Sequence, residues 1–318
     1  MSAARAIAAA ASVVIGTRGS PLALAQAGLV RDLLAAAHPG LGVEIRAIRT
    51  AGDRFAGRPL ATIGGKGLFT REIDAALADG AIDLAVHSVK DLPTDLPHGL
   101  DLACVPARED PRDVLIARDP AVEAIADLPR GAWVGTVSLR RAAQALSRRP
   151  DLRIVALRGN VETRLAKIAG GEADATFLAL AGLRRLGRAD AARVVLAPEE
   201  MLPAPGQGAL GIECRADDAR ARALLAPLDD GPSHAAVTAE RALLAALEGS
   251  CRTPIAALAA IAGDRLNLRA MIAMPDGSAR LDEARDGPAA EAAAIGHAAG
   301  AALRARAGPE FFAALGQA

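Results

Sequence analysis

The sequence predicts two α/β domains followed by a small α+β domain, and three observations carry that reading. Apolar runs of strand length alternate with runs of helical spacing from Val13 to about Arg108, and again from about Asp113 to Leu202. Chain crossings flank these blocks, near Arg108–Asp113 and at the Pro-bearing stretch Leu202–Gly208. Beyond them, three strand-like runs are separated by the hairpin-type turn signals Gly263-Asp264 and Pro275-Asp276-Gly277. With 318 residues, the chain is long enough for two or three cores.

In the first block, Val13–Ile15 reads as a short strand and Gly16–Gly19 as a turn. Ser20 is placed as an N-cap, with Pro21 at the first helical position of a helix running to Ala37. Pro39-Gly40 stops it, and Val43–Ile48 is a second strand. Gly52–Gly67 is Gly-rich without periodicity, a long loop of the kind that carries function. Leu68–Leu77 is a helix, and Ile82–Val86 is a continuous apolar run, as in a buried parallel strand.

In the second block, Trp133–Gly135 ends a strand and Ser138 caps a helix that begins Leu139-Arg140-Arg141. Ile154–Leu157 is a strand, Arg158-Gly159-Asn160 a turn, and Val161–Ile168 a helix. Ala175–Ala179 is a strand that leads into a helix at Ala181–Leu186. After the second crossing, Ala209–Glu213 is one more strand. The last part holds a helix at Ser233–Leu247, strands at Ile255–Ile261, Leu266–Met274 and Ala279–Arg285, and a final helix from about Ala289 to Arg306.

Composition removes several function classes. Lys+Arg and Asp+Glu number 37 each, so formal charge is zero, which argues against a general nucleic-acid or membrane-surface binder. Aromatics are 2% with no Tyr, so stacking platforms for single strands are excluded. Apolar runs fall short of a membrane span. Three distant cysteines make neither a disulfide framework nor a zinc knuckle, and the five histidines form no metal-ligand spacing, so no metal is expected. The opening MSAARAIAAAASVVIG has the outline of a secretory leader. Its apolar part is mostly alanine, and VVIG reads better as a first strand, so a short leader and a cytoplasmic protein are expected.

Lysine occurs only at 66, 90 and 167; all other basic residues are Arg. Several arginines sit just after strands at helix starts: Arg18, Arg140, Arg141, Arg158, Arg164, Arg184 and Arg185. Ligands of open α/β sheets bind at the carboxyl ends of strands, where helix N-termini add N–H donors. Taken singly, each arginine reads as a solvated helix residue. As a set, with the hydroxyls of Ser20, Thr136 and Ser138, they read as an anion-binding cleft, because guanidinium forks grip carboxylates. Asp91, in His87-Ser88-Val89-Lys90-Asp91-Leu92-Pro93, reads either as a turn residue or as a carboxylate that stabilises a cation or relays a proton. Lys90 leaves a Schiff-base chemistry open. Cys104 and Cys214 lie in apolar strand contexts and read as inert, whereas Cys251, in a loop beside Arg252, reads as a reachable thiolate. His87 reads as a packed residue.

Taken together, these motifs resemble the porphobilinogen deaminase family. The matching runs are IGTRGSPLALAQA (15–27), IGGKGLFTREID (63–74), DLAVHSVKDLPT (83–94), REDPRDVLIA (108–117), VGTVSLRRAAQ (134–144), LRGNVETRLAKI (157–168), LALAGLRRLG (178–187), LPAPGQGALGIECR (202–215) and LEGSCRTPI (247–255). The resemblance implies two periplasmic-binding-protein-like (class II) α/β domains joined by two hinge crossings, plus a C-terminal α+β domain with a three-stranded antiparallel sheet. The implied domains are 1–108 with 207–228, 109–206, and 229–318. It also implies an enzyme that joins four porphobilinogen molecules head to tail, with loss of ammonia, on a dipyrromethane cofactor held by a thioether.

The family's cofactor-bearing cysteine falls on Cys251 and its catalytic aspartate on Asp91. Its cofactor- and substrate-binding positions fall on Arg18, Ser20, Lys66, Lys90, Thr136, Ser138, Arg140, Arg141, Arg158, Arg164, Arg185 and Gln207. The loop Gly52–Gly67 matches the family's active-site lid. Partners implied are porphobilinogen alone, with no nucleic acid and no membrane, and a monomer. The rival reading is a non-enzymatic carboxylate-binding protein of the same fold. Val137 departs from a serine common in bacterial relatives, Thr62 from a lysine found in some, and Ser250 from a glycine.

Overall fold

The computed structural model describes residues 12–54, 70–248 and 253–317. The chain divides into two compact units, Met1–Glu109 with Ala209–His234, and Asp110–Gly208 with Ala235–Ala318. In chain order the elements begin with β1 Ser12–Arg18, α1 Pro21–Ala37, β2 Gly42–Ile48, α2 Arg71–Ala78, β3 Leu84–Ser88 and β4 Leu100–Cys104. They continue with β5 Asp113–Ala117, β6 Trp133–Gly135, α3 Leu139–Arg148, β7 Arg153–Val155, α4 Val161–Ala169, β8 Ala175–Ala179, α5 Leu180–Arg185 and β9 Val194–Val195. The last are β10 Leu210–Arg215, α6 Ala219–Leu225, α7 Gly231–Ala246, β11 Ile255–Ala262, β12 Arg265–Ala273, β13 Arg280–Pro288 and α8 Ala292–Gln317.

The first unit is built on a sheet of order β2-β1-β3-β10-β4. Strand β1 runs parallel to β2 and β3, while β10 is antiparallel to β3 and β4. The second unit repeats the pattern as β7-β6-β8-β5-β9, with β6 parallel to its neighbours and β5 antiparallel to β8 and β9. A separate antiparallel sheet, β11-β12-β13, completes the second unit. Two mixed five-stranded sheets with helices and a C-terminal antiparallel sheet are the two α/β parts and the α+β part that the sequence predicts. No helix among the described residues is long and apolar enough to cross a membrane.

Local chemistry accounts for the helix starts. Ser20 Oγ accepts the Ala23 N–H at 3.3 Å and Pro21 fixes the first turn, so α1 begins as expected. It buries Gln26, Ala27, Val30 and Leu34 on the sheet, where Val30 and Leu34 join Ile15, Leu84 and Ile212 in one core. Each such Leu or Ile contributes about 1.5–3 kcal/mol by leaving water. A second core gathers Leu115, Val134, Phe177, Leu196 and Met201. A third packs α7 and α8 on the antiparallel sheet through Leu243, Leu268, Ile272 and Leu303.

Several boundaries differ from the sequence expectation. Strand β3 begins at Leu84, not Ile82, because Ile82 packs with Ile73 and Leu77 of α2 before the ladder starts. Just after it, the Asp83 carboxylate accepts the Val14 N–H at 2.8 Å. Helix α2 runs from Arg71 with Thr70 as its N-cap; Leu68, where the sequence starts the helix, lies outside the described residues. Strands β5 and β9 have no counterpart in the sequence reading, and β4 appears there only as the apolar strand context of Cys104. Strand β9 has two residues, and β5 opens on a charged residue, Asp113, that lies fully buried. The final helix extends beyond Arg306 to Gln317, with a break at Gly308 (φ 69°), just before Pro309.

Helices α7 and α8 touch backbone to backbone. A Cβ added at Gly296 would lie 2.0 Å from the Ala239 carbonyl oxygen, and one at Gly300 would lie 2.7 Å from the Leu243 carbonyl oxygen. Gly296→Ala is therefore expected to lower stability by about 1–3 kcal/mol through overpacking. Urea denaturation checks this, and an unchanged midpoint contradicts it.

Candidate active site

In the first unit, polar side chains gather where β1 and β3 end. These are adjacent parallel strands, so their carboxyl ends lie side by side. A cavity of about 40 Å³ opens there, with room for a few waters, lined by Arg18, Ser20, Gln26, Thr70, His87 and Asp91 among others. Gln26 Nε2 donates to Ser88 Oγ at 2.9 Å, joining α1 to the end of β3. The Thr17 hydroxyl donates to the Ala23 and Val86 carbonyls at 3.3 and 3.4 Å, closing the same corner.

Asp91 is exposed and sits on a single 3₁₀ turn, Val89–Asp91, directly after β3. The turn is pinned from both sides. Val89 is buried and its N–H donates to the Ala209 carbonyl at 3.1 Å, while the Leu92 N–H closes the turn on the Val89 carbonyl at 3.0 Å. The carboxylate thus projects from a fixed backbone into a pocket that also holds a guanidinium. Lys90, beside it, is exposed.

In the second unit, the arginines collect at the carboxyl ends of β6 and β7. Thr136 Oγ1 accepts the Ser138 N–H at 3.1 Å, and Ser138 Oγ accepts the Arg141 N–H at 3.4 Å, so the two hydroxyls shape the N-terminus of α3. Gly159, at φ 123°, lets the chain turn after β7, and Asn160 caps α4 by accepting the Thr163 N–H at 2.9 Å. Arg164 Nε donates to the Gly159 carbonyl at 2.9 Å. Burial, with the charges of Arg141 and Arg158 added, presses the Arg164 guanidinium down to about 10. Burial is the larger cause and the two neighbouring guanidinium charges the smaller, and an incoming anion relieves both. Arg185 donates to the Gly208 carbonyl at 2.6 Å.

Arg140 and Arg141 are both buried and meet on one carboxylate, Asp113. Arg140 reaches Oδ2 at 2.7 Å, and Arg141 reaches Oδ1 at 2.6 Å. Both also reach backbone: Arg140 Nη1 donates to Leu202 O at 2.7 Å and Arg141 Nη1 to Phe177 O at 2.8 Å, while the buried Arg140 Nε has no partner among the described residues. Gln207 Nε2 joins the same group, donating to Asp113 Oδ1 at 3.1 Å and to Pro111 O at 2.7 Å. Burial alone would raise the Asp113 carboxyl. The charges of Arg140 and Arg141, and their hydrogen bonds, outweigh it and hold the group well below the usual carboxylate range.

The structure therefore brings Arg18, Ser20 and Asp91 to one corner of the first unit. In the second it groups Thr136, Ser138, Arg141, Arg158 and Arg164, with Arg140 and Gln207 drawn in around Asp113. Lys66, Cys251 and most of the loop read as a lid lie outside the described residues. Cys104 and Cys214 are buried, and burial pushes the Cys104 thiol up to about 12 and raises Cys214, in keeping with inert thiols. Two features escaped the sequence reading. Asp113 was not singled out, although a charged residue opening an apolar run signals a buried pair. His87 is packed, as expected, but lies against Asp74 and Glu213, with donor atoms of all three within 4.8 Å of one another. Its partners are 13 and 126 residues away in sequence, beyond any spacing motif.

A depressed carboxyl stabilises the fold above its unfolded pKa, near pH 4, and that contribution is lost as pH falls below this toward the folded value. Asp113→Asn leaves two buried guanidiniums without their counter-charge. The variant is expected to lose about 3–5 kcal/mol at pH 7. Its deficit against the parent should shrink as pH is lowered below about 4. Denaturation at pH 7 and pH 3 checks both, and equal deficits at the two pH values contradict the pairing.

The description "Porphobilinogen deaminase, dipyromethane cofactor binding domain" belongs to a family model that matches residues 13–223. A second, "Porphobilinogen deaminase, C-terminal domain", matches 234–305. The porphobilinogen deaminase of Paracoccus denitrificans is 56% identical over 301 residues, covering 94% of this chain and 95% of that protein. The porphobilinogen deaminase of Nitrobacter winogradskyi is 54% identical over 300 residues, with 94% of each chain covered. Among solved structures, the periplasmic aliphatic sulphonate binding protein SsuA of Escherichia coli aligns over 74% of this chain and 70% of its own. Its identity is 16% and its TM-score 0.41, too low to say anything further about this chain. Two family models that together span most of the chain, and relatives more than half identical over nearly all of it, establish that the chain belongs to the porphobilinogen deaminase family.

Proposed function

We propose that this chain joins four porphobilinogen molecules head to tail, releasing ammonia at each condensation, and then frees the linear tetrapyrrole by hydrolysis. The observation that carries this reading is the family match along nearly the whole chain. The transferase activity and the dipyrromethane cofactor come with the family. The residues present fit that cofactor. Its pyrrole rings carry acetate and propionate groups, and the crowding of Arg164 by Arg141 and Arg158 is a surplus of positive charge that carboxylates relieve. When bound, the cofactor supplies the primer to which new rings are added, and Cys251 is the proposed point of attachment.

In this reading Arg141, Arg158, Arg164 and Arg185 hold ring carboxylates, with Thr136 and Ser138 at the start of α3 beside them. Arg140 and Gln207 lie next to Asp113 in the same group. Lys66, Lys90, Arg18 and Ser20 serve the same purpose in the first unit. The Asp91 carboxylate stabilises the positive charge that develops on the substrate pyrrole as ammonia leaves its aminomethyl carbon, and again the charge on the chain's terminal ring after the α-carbon of that ring attacks and before it loses its proton. The pinned turn at Val89–Asp91 keeps that carboxylate in place without reorganisation. Separate family models for 13–223 and 234–305 support a third domain at 229–318, beside 1–108 with 207–228 and 109–206. We read the protein as a cytoplasmic monomer.

Asp91→Ala, loaded with cofactor, tests the central role. Ammonia release from porphobilinogen is expected to fall by at least about a hundredfold, the usual cost of losing one preorganised electrostatic group. An unchanged circular dichroism spectrum would show an intact fold. Release at the parent rate would remove Asp91 from the chemistry.

A further inference from the structure

Three titratable side chains that the proposed reaction does not use meet inside the first unit. Asp74 comes from α2, His87 from β3 and Glu213 from β10. Each is at least nine-tenths buried, at 7%, 5% and 0% exposure. One ligating atom of each lies within 4.8 Å of the other two. His87 Nε2 and Asp74 Oδ1 have no hydrogen-bond partner among the described residues. Buried polar atoms left that way cost about 1–3 kcal/mol each, so the arrangement points to something that binds them.

Electrostatics narrows what that is. Two carboxylates that close repel each other strongly away from water. Burial, with the Arg18 charge added, presses the His87 imidazole down to about 4, so at neutral pH it offers a lone pair and not a charge. Burial likewise raises the Asp74 carboxyl above its usual value, a penalty that a divalent cation between two carboxylates and a neutral imidazole removes by displacing the proton and balancing the charge. Donors on an ion with bonds of about 2.0–2.4 Å stand at most about 4–5 Å apart, which the observed spacing satisfies. A mixed set of one nitrogen and two oxygens suits zinc or manganese. Magnesium and calcium prefer oxygen alone, and soft ions prefer sulfur.

We infer that Asp74, His87 and Glu213 form a binding site for one divalent transition-metal ion. The ion ties α2, β3 and β10 together directly behind the turn that carries Asp91, since His87 lines the same cavity as Asp91. Its role is to hold that corner, and no step of the condensation passes through it.

The test uses the cofactor-loaded enzyme, stripped with a chelator and dialysed. Zinc, manganese and magnesium are each titrated by calorimetry, and bound metal is counted by elemental analysis. One zinc or manganese per chain is expected in the parent, with a Tm several degrees higher and no response to magnesium. His87→Gln is expected to lose both the uptake and the Tm rise. If that variant does not fold, Asp74→Asn is measured in its place, with the same expectation. Absence of uptake by the parent overturns the proposal and leaves shared protons to balance the two carboxylates. Equal uptake by parent and variant also overturns it, since the ion then sits elsewhere.

Discussion

The second unit depends on one buried carboxylate. Asp113 sits at the start of β5 without access to water and is the counter-charge for Arg140 and Arg141. Desolvating three charges is costly, and it is offset by the acceptors the two arginines share: Leu202 O, Phe177 O and both Asp113 oxygens, with Arg140 Nε left over among the described residues. The consequence is positional. Two adjacent residues at the start of α3 are fixed from below, and Arg141 thereby contributes its charge to the neighbourhood of Arg158 and Arg164. Gln207 draws the segment after Leu202 onto the same carboxylate and onto Pro111. A net-neutral protein thus concentrates positive charge in one place by spending a single acid on two arginines and leaving others crowded together.

The first unit answers with a different economy. Its polar residues are presented by the ends of two adjacent parallel strands and by a capped helix start. The turn that carries Asp91 is held by backbone hydrogen bonds on either side of that residue. A carboxylate placed this way stays exposed and available, while Asp113 is fully used by its partners. The two aspartates show how backbone placement and burial give the same residue type opposite tasks.

Much of this was legible in the sequence. The alternation of strand and helix, the Ser20 and Ser138 caps, the hairpin turns after Ala262 and Ala273 and the clustering of arginines at strand ends all follow from local chemistry, and the structure places them as read. What escaped has a common cause. Ile82 is apolar because it packs under α2, so its hydrophobicity could not mark where β3 begins. Strand β5 was hidden because it opens on a charge whose partners are 27 and 28 residues away. The grouping of Asp74, His87 and Glu213 depends on three elements brought together by the order of the sheet, which no spacing rule encodes. The roles of Cys251 and Lys66 rest on family resemblance, and both residues lie outside the described ones.

The account stands or falls on whether this chain carries a covalent pyrrole primer. The direct measurement is the intact mass of the purified protein beside that of Cys251→Ser. The account predicts an excess equal to two pyrrole units in the parent and none in the variant. A parent that remains at its bare sequence mass after incubation with porphobilinogen would contradict it.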